Sequence, residues 1–313
     1  MVGRMRGMRR VVRAVAALAL GALLTAGSAA AADKVRVGSK LDAESGLLGT
    51  MILQVLEANG IPVENKIQLG PTRIVRSALL AGEIDVYPEY TGNGAFFFNL
   101  DSDPAWKNAA AGYETVKQLD RDKNNIVWLT PAPANNTWAI ALRRDVAAPN
   151  NLATMEDFSR WVGGGGTAKL AASAEFVESP AALPSFQKSY GFTLKPDQIL
   201  VLAGGDTAAT IRAAAEGTSG VNTAMVYGTD GAIAALDLVV MKDTKSAQMV
   251  YAPAPTIRDG VLDAYPKIRD LLDPVFKSLD TETLRGLNAK ISVEGQDPRA
   301  VATTYLKSKG FLN

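Results

Sequence analysis

The sequence predicts an α/β protein of two lobes joined by two crossings, with a ligand cleft between the lobes. Short apolar runs alternate with amphipathic stretches at strand–helix spacing, two Pro-rich segments interrupt that alternation, and the chain is long enough to divide into two lobes.

Val35 to Gly38 reads as a strand, Leu47 to Asn59 as an amphipathic helix closed by Gly60, and Ile67 to Leu69 as a second strand. A helix over Thr72 to Leu80, closed by Gly82, leads to a third strand at Ile84 to Tyr87. This order implies a mostly parallel sheet with helices on its faces, and such sheets bind ligands beyond the carboxyl ends of their strands. A helical region, Pro104 to Asp120, precedes Ile126 to Leu129 and then the segment TPAPANNTWAIALRRD, whose Pro-rich start reads as the first crossing. Trp138 to Leu142 opens the second lobe, followed by a helix at Met155 to Trp161, a strand at Lys169 to Ala172 and a helix at Leu183 to Tyr190. Gly163 to Gly166 lacks the Gly-Lys-Ser/Thr ending of a phosphate loop and reads as a flexible connection. A strand at Ile199 to Leu202, a helix at Thr207 to Glu216 and a strand at Ala224 to Tyr227 come next. Val239 to Lys242 and Met249 to Pro255 read as the last strand and the second crossing, and the helical remainder from Asp259 returns to the first lobe. The lobes are therefore expected at 33–135 with 246–313, and at 136–245, with a hinge between them.

Five arginines, an apolar run from Ala14 to Ala26 and a small-residue stretch make residues 1–32 a secretory signal peptide. Cleavage after Ala32 leaves 281 residues and changes the net charge from +1 to −4, with 28 basic against 32 acidic side chains. A mildly acidic surface argues against nucleic acid or an anionic membrane as partner. The chain has no cysteine, hence no disulfide and no lipid attachment point, so export predicts a non-lipidated periplasmic protein.

The absence of histidine as well as cysteine removes the Ser-His-Asp triad, thiol nucleophiles and the usual zinc ligands. No catalytic residue, metal or cofactor is expected. Two-carboxylate hydrolysis remains the alternative chemistry, although close acids such as Asp85 and Glu89 read as solvated or capping residues.

Residues 81–98, AGEIDVYPEYTGNGAFFF, deliver Tyr87 and Tyr90 from a strand into a Pro- and Gly-punctuated turn. Gly92 and Gly94 permit a sharp turn or a close approach to a ligand. Tyr87 and Phe96 to Phe98 are expected to pack in the core.

The chain resembles the periplasmic substrate-binding components of ABC importers for quaternary amines and other osmoprotectants. The resemblance rests on VGSK at 37–40, LGPTRIVRSALLAGEIDVYPEYTG at 69–92, NNTWAIAL at 135–142, MVYGTDG at 225–231 and VYAPAP at 250–255. It implies the two-lobed type II periplasmic binding protein fold and an aromatic cage of Tyr90, Trp138, Tyr227 and Tyr251, with Tyr90 and Tyr251 on one wall. Lys40, Asn93 and Asn136 fall on binding positions of the family, which more often has threonine and aspartate at the last two. A quaternary ammonium has no N–H to donate, whereas ring faces attract its diffuse charge at about 0.5–2 kcal/mol per ring. Many relatives have an arginine for a ligand carboxylate where EFVES places Ser179, which implies weak glycine betaine binding and favours choline or another solute. Glu175 reads as a solvated or capping residue. The expected function is non-catalytic delivery of a quaternary amine, such as glycine betaine or choline, to an inner-membrane ABC permease by a monomer. A ligand sensor docking on a membrane receptor is the other reading.

Overall fold

The computed structural model describes residues 34–202 and 207–312. The signal-peptide reading of residues 1–32 lies outside the described residues. Two five-stranded sheets organise the chain. The first has the order β2-β1-β3-β10-β4, with β1 at Val35–Lys40, β2 at Val63–Gly70, β3 at Val86–Tyr90, β4 at Ile126–Trp128 and β10 at Pro253–Arg258. The second has the order β7-β6-β8-β5-β9, with β5 at Trp138–Arg143, β6 at Leu170–Ser173, β7 at Ile199–Leu202, β8 at Thr223–Tyr227 and β9 at Leu238–Val240. Four of the five strands in each sheet run the same way, in keeping with the expectation of a mostly parallel sheet. In each sheet two ladders are parallel and two antiparallel, because β10 and β5 run against both of their neighbours. Both strands follow a crossing and so enter their sheet from the end at which the other strands leave it.

Each sheet is covered on both faces. In the first, Val35, Val37, Val86 and Ile257 pack with Leu47, Met51 and Ile52 of the Ala43–Ala58 helix and with Ile268, Leu284 and Leu306 of the C-terminal helices. Ile84, Tyr87 and Trp128 meet Val75, Leu79, Trp106 and Val116 on the opposite face. Alternation along β5 does the same in the second sheet: Ile140 and Leu142 face Phe158, Phe176 and Phe186, while Ala139 and Ala141 face Ile211 and Leu238.

The chain crosses between the sheets twice, and the crossings run side by side. Ala132 N–H donates to Pro253 O at 2.8 Å, Asn136 N–H to Tyr251 O at 3.0 Å, and the Thr137 hydroxyl to Met249 O at 2.7 Å. Asn135 Oδ1 accepts the Tyr251 N–H at 2.8 Å.

Local departures from the sequence reading have physical causes. Strand β3 runs on through Tyr90, so Pro88 to Tyr90 are strand and the expected turn begins only at Thr91, because β10 pairs with β3 from Ile257↔Val86 to Pro253↔Tyr90. Pro88 lies opposite Pro255, so the two residues without N–H groups fall on one rung. The helical region at 104–120 is a 3₁₀ turn, Pro104–Lys107, and a helix, Ala109–Asn124, separated by Asn108, whose extended backbone and side chain cap the second piece. Phe96 is 56% exposed, contrary to the expectation of core packing, while Phe98 packs against the core at its edge.

The Gly231–Ala235 helix, which follows β8, meets the Thr281–Ser292 helix so closely that a Cβ on Gly231 would lie 2.3 Å from Ala289 N. The obstacle is backbone, so it does not rotate away. Gly231→Ala is expected to destabilise the protein by at least about 2 kcal/mol. Urea unfolding checks this, and a midpoint unchanged from the parent would show that the helices separate freely.

Candidate functional site

The carboxyl ends of β1 and β3 place Lys40, Glu89 and Tyr90 together. Val37 pairs with Val86 in the parallel β1–β3 ladder, and three residues further along both strands Lys40 stands beside Glu89. The Lys40 ammonium donates to Glu89 Oε1, which also accepts Tyr90 N–H at 2.7 Å and Asn93 Nδ2 at 2.7 Å. Glu89 Oε2 accepts the Tyr87 hydroxyl at 2.8 Å. Glu89 is fully buried, and so the expectation of a solvated or capping acid is corrected for it. The same correction holds for Asp85, which is buried and accepts from Arg36 Nε and Nη2, both at 2.8 Å, and from Arg258 Nη1 at 3.1 Å. Lys40 Nζ also lies 4.6 Å from the centroid of the Tyr90 ring.

A second buried acid, Glu44, sits in the first turn of the Ala43–Ala58 helix, whose N-cap is Asp42. Its Oε1 accepts the Tyr90 hydroxyl at 2.8 Å and Asn136 Nδ2 at 3.2 Å, and its Oε2 accepts Asn288 Nδ2 at 2.6 Å. Asn288 Nδ2 also donates to Thr229 O at 2.9 Å. Glu44 thus ties the end of β3, the first crossing, the loop after β8 and the C-terminal helices. Burial pushes its carboxyl up from 4.5 to about 7, against the lowering effect of hydrogen bonds with Thr229, Tyr90 and Asn288. Burial likewise pushes the Tyr90 phenol well above its ordinary value, with Glu44 and Asp42 adding to the shift.

At the matching end of the second sheet, Trp138 opens β5 directly opposite Tyr227, which ends β8. Their rings stack with centroids 6.3 Å apart at 19°. Phe176 meets Trp138 edge-on at 6.0 Å and 81°, so the indole is held from behind. Tyr251 lies on the second crossing, and its ring covers Gly92, where an added Cβ would come within 2.8 Å of two ring carbons. Burial, then Tyr227 and Glu175, push the Tyr251 phenol up to about 12. Glu175 itself is exposed in the first turn of the Ala174–Glu178 helix.

The structure therefore gathers Lys40, Tyr90 and Asn93 around Glu89, brings Tyr90 and Asn136 to Glu44, joins Asn136 to Tyr251 through the backbone, and stacks Trp138 on Tyr227. Ser179 bonds locally instead. It ends the Ala174–Glu178 helix, where its N–H donates to Glu175 O at 2.9 Å and its hydroxyl accepts Ala181 N–H at 3.4 Å. Glu44, Glu89 and Asn288 are the polar residues that the sequence reading did not assign to the site. Among the described residues no cluster of acids fits a metal ion, and no helix is long and apolar enough to cross a membrane.

Residues 33–308 match the family described as the substrate binding domain of ABC-type glycine betaine transport systems. The chain belongs to this family. It is similar to the glycine betaine-binding protein YehZ of Escherichia coli K12, at 60% identity over 90% of this chain and 92% of that protein. A glycine-betaine-binding protein of Pseudomonas aeruginosa is 31% identical, over 98% of this chain and 97% of the other. The apo YehZ structure superimposes with a TM-score of 0.84 over 90% of this chain and 100% of its own. A glycine betaine/carnitine/choline transporter structure, at 21% identity and a TM-score of 0.79 over 90% of this chain and 100% of its own, shares the fold. The two-lobed periplasmic binding protein fold follows, as does a non-catalytic role in solute binding: members of this family are substrate-binding components of importers, which sets aside the carboxylate hydrolase. A small-molecule ligand and a permease partner come with that role.

Two outcomes follow from the geometry. A carboxyl raised by burial contributes most to stability while protonated, so the Glu44 contribution is present below pH 4.5 and is lost as pH rises through about 7. Glu44→Gln is expected to flatten the fall in stability between acid and mildly alkaline solution by on the order of 3 kcal/mol. Denaturant titrations across that range check it, and parallel curves for parent and variant would refute it. Gly92→Ala is expected to displace the Tyr251 ring and, because the added Cβ would also lie 2.9 Å from Val250 O, to shift the crossing backbone, seen as changed Val250 and Tyr251 environments by NMR.

Proposed function

We propose that this protein captures a quaternary ammonium solute in a cage built from Tyr90, Trp138, Tyr227 and Tyr251 and hands it to an inner-membrane ABC permease. The observation that carries the reading is the Trp138–Tyr227 stack at the end of the second sheet, with Tyr251 at the crossing beside it. Ring faces attract a cation without asking it for a hydrogen bond. The relatives named glycine betaine-binding proteins support a ligand of that class.

In this reading residues 33–135 with 246–313 form one lobe and residues 136–245 the other, and the lobes close over the ligand by turning about the paired crossings. The protein acts as a monomer in the periplasm after removal of residues 1–32, without a lipid anchor.

Ser179 supplies no charge for a ligand carboxylate, so a cation lacking one, such as choline, is held at least as well as glycine betaine. The alternative is a different solute held by Lys40, Asn93, Asn136, Ser179 and nearby amides. Titration of residues 33–313 with choline, glycine betaine, carnitine, proline betaine and basic amino acids tests the reading. Micromolar to sub-millimolar choline binding is expected, with Trp138→Ala and Tyr251→Ala each weakening it by about tenfold or more while thermal stability changes little. Absence of any cationic ligand below the millimolar range, or stability losses equal to the binding losses, would remove the cage. Ser179→Arg is expected to tighten glycine betaine about tenfold or more and to leave choline unchanged. Isothermal titration of both ligands reads the difference directly.

A further inference from the structure

The Thr281–Ser292 helix reaches both sheets, and its second contact falls on the turn that begins at Tyr227. Leu284 and Leu287 lie in the core of the first sheet with Val35, Val37 and Val86. Arg285, Asn288 and Ala289 are spaced i, i+3 and i+4, so they share another face of the helix, and that face meets residues 228–231 after β8. Arg285 Nε donates to Gly228 O at 2.7 Å, Asn288 Nδ2 donates to Thr229 O at 2.9 Å, and Ala289 N is the atom that a Cβ on Gly231 would strike. The first crossing holds the other side of the turn. Gly228 N–H donates to Thr137 O at 2.8 Å, and a Cβ on Gly228 would come 2.2 Å from Asn135 O. The turn also closes on itself, because Asp230 Oδ2 accepts Tyr227 N–H at 2.7 Å and Tyr227 O accepts Asp230 N–H at 3.1 Å. Among these holds, Arg285 is a side chain that can be changed without touching Glu44, which Asn288 also serves. Its side chain is 14% exposed, and its other partner, Glu282, is 78% exposed, so that surface pair adds little. The Gly228 carbonyl is what the buried part of Arg285 satisfies.

We infer that Arg285 is a positioning residue for the cage: through the Gly228 carbonyl it fixes the turn after β8 and so holds the Tyr227 ring against Trp138 before a ligand arrives. Gly228 is the residue next to Tyr227, so a shift of its peptide passes directly to the ring. This role rests on the function just proposed, and there it makes the Trp138–Tyr227 stack, at 6.3 Å and 19°, a preset wall of the cage. The ordering of the two rings is then completed in folding and is not charged against binding.

Gln and Met at position 285 separate the donor from the bulk of the side chain. Gln Nε2 stands as far along its side chain as Arg Nε, whereas Met has the same reach and no N–H. Arg285→Met is expected to bind choline about tenfold more weakly than the parent, and Arg285→Gln to stay within about threefold of it. In a Tyr227→Leu background the Arg285→Met loss is expected to vanish, whereas a merely structural Arg285 would cost the same in both backgrounds. In the ligand-free protein, NOEs between the Trp138 and Tyr227 rings are expected for the parent and Arg285→Gln and are expected to be lost in Arg285→Met. Ring NOEs kept by folded Arg285→Met overturn the inference, as does a choline loss of equal size for Gln and Met or in both Tyr227 backgrounds. Should Arg285→Met fail to fold by circular dichroism, Arg285→Ser, too short to reach Gly228 O, carries the same comparison. The two readings fail separately. Choline binding weakened by Trp138→Ala but not by Arg285→Met sinks the positioning role alone, whereas no choline binding by the parent sinks the cage, and the ring NOEs then decide the positioning of Tyr227 by themselves.

Discussion

The buried carboxylate of Glu89 is the constraint around which the site edge of the first sheet is built. A fully buried charge is tolerated only when its acceptor capacity is met and an opposite charge lies close. Glu89 meets both demands by drawing in Lys40 from β1, Tyr87 and a backbone N–H from its own strand, and Asn93 from the turn that follows. Those bonds fix where β3 stops and where Tyr90 stands. They also require β1 and β3 to pair in one register only, because a slip of one residue would carry Lys40 to the other face of the sheet.

Glu44 does for the junction between the sheets what Glu89 does within one. Its donors come from Tyr90, Asn136 and Asn288, so one carboxylate joins the first sheet to a crossing and to the C-terminal helices, and Asn288 extends the link to Thr229 after β8. Beside it the Gly231 contact leaves no room for a side chain. The paired crossings, held by backbone and side-chain bonds between 132–137 and 249–253, complete a narrow joint. Polar bonding and close packing thus meet where a hinge between the sheets would turn, and a carboxyl raised to about 7 is part of it.

Much of the fold was legible because its signals are local. Period-2 and period-3.6 patterns marked most strands and helices, and the prolines at 131 and 133 marked a crossing. The direction of β5 and β10 was not legible: both run against their neighbours because of the path of the crossings, which no local pattern records. The aromatic members of the site were found through family resemblance, since Trp138 and Tyr227 are far apart in sequence and pair only through a ladder. Glu89 was misread because its partner Lys40 lies 49 positions away. Glu44 was missed because an acid in a helix's first turn has an ordinary local reason to be there, and Asn288, 244 positions away, gives no sign of meeting it.

Most polar groups of the site are consumed by one another, although Asn136 Oδ1, Asn288 Oδ1 and Trp138 Nε1 are buried without a hydrogen-bond partner. Lys40 and Asn93 spend their donors on Glu89, while the Tyr90 hydroxyl and the Asn136 amide spend theirs on Glu44. Such a site offers a ligand few unsatisfied donors, and a solute that needs strong hydrogen bonds would have to break bonds already made inside a low-dielectric interior. The ring faces of Trp138, Tyr227 and Tyr251 carry no such prior obligation. Within the proposed function, selectivity then arises from near-saturation: a cation that asks for no hydrogen bond loses nothing on entering, while a primary amine of similar size brings three N–H groups to a site whose carboxylates are already engaged and whose open buried acceptors are amide oxygens such as Asn136 Oδ1. Glu44 and Glu89, which never need touch the ligand, would exclude the wrong one by having their lone pairs already filled.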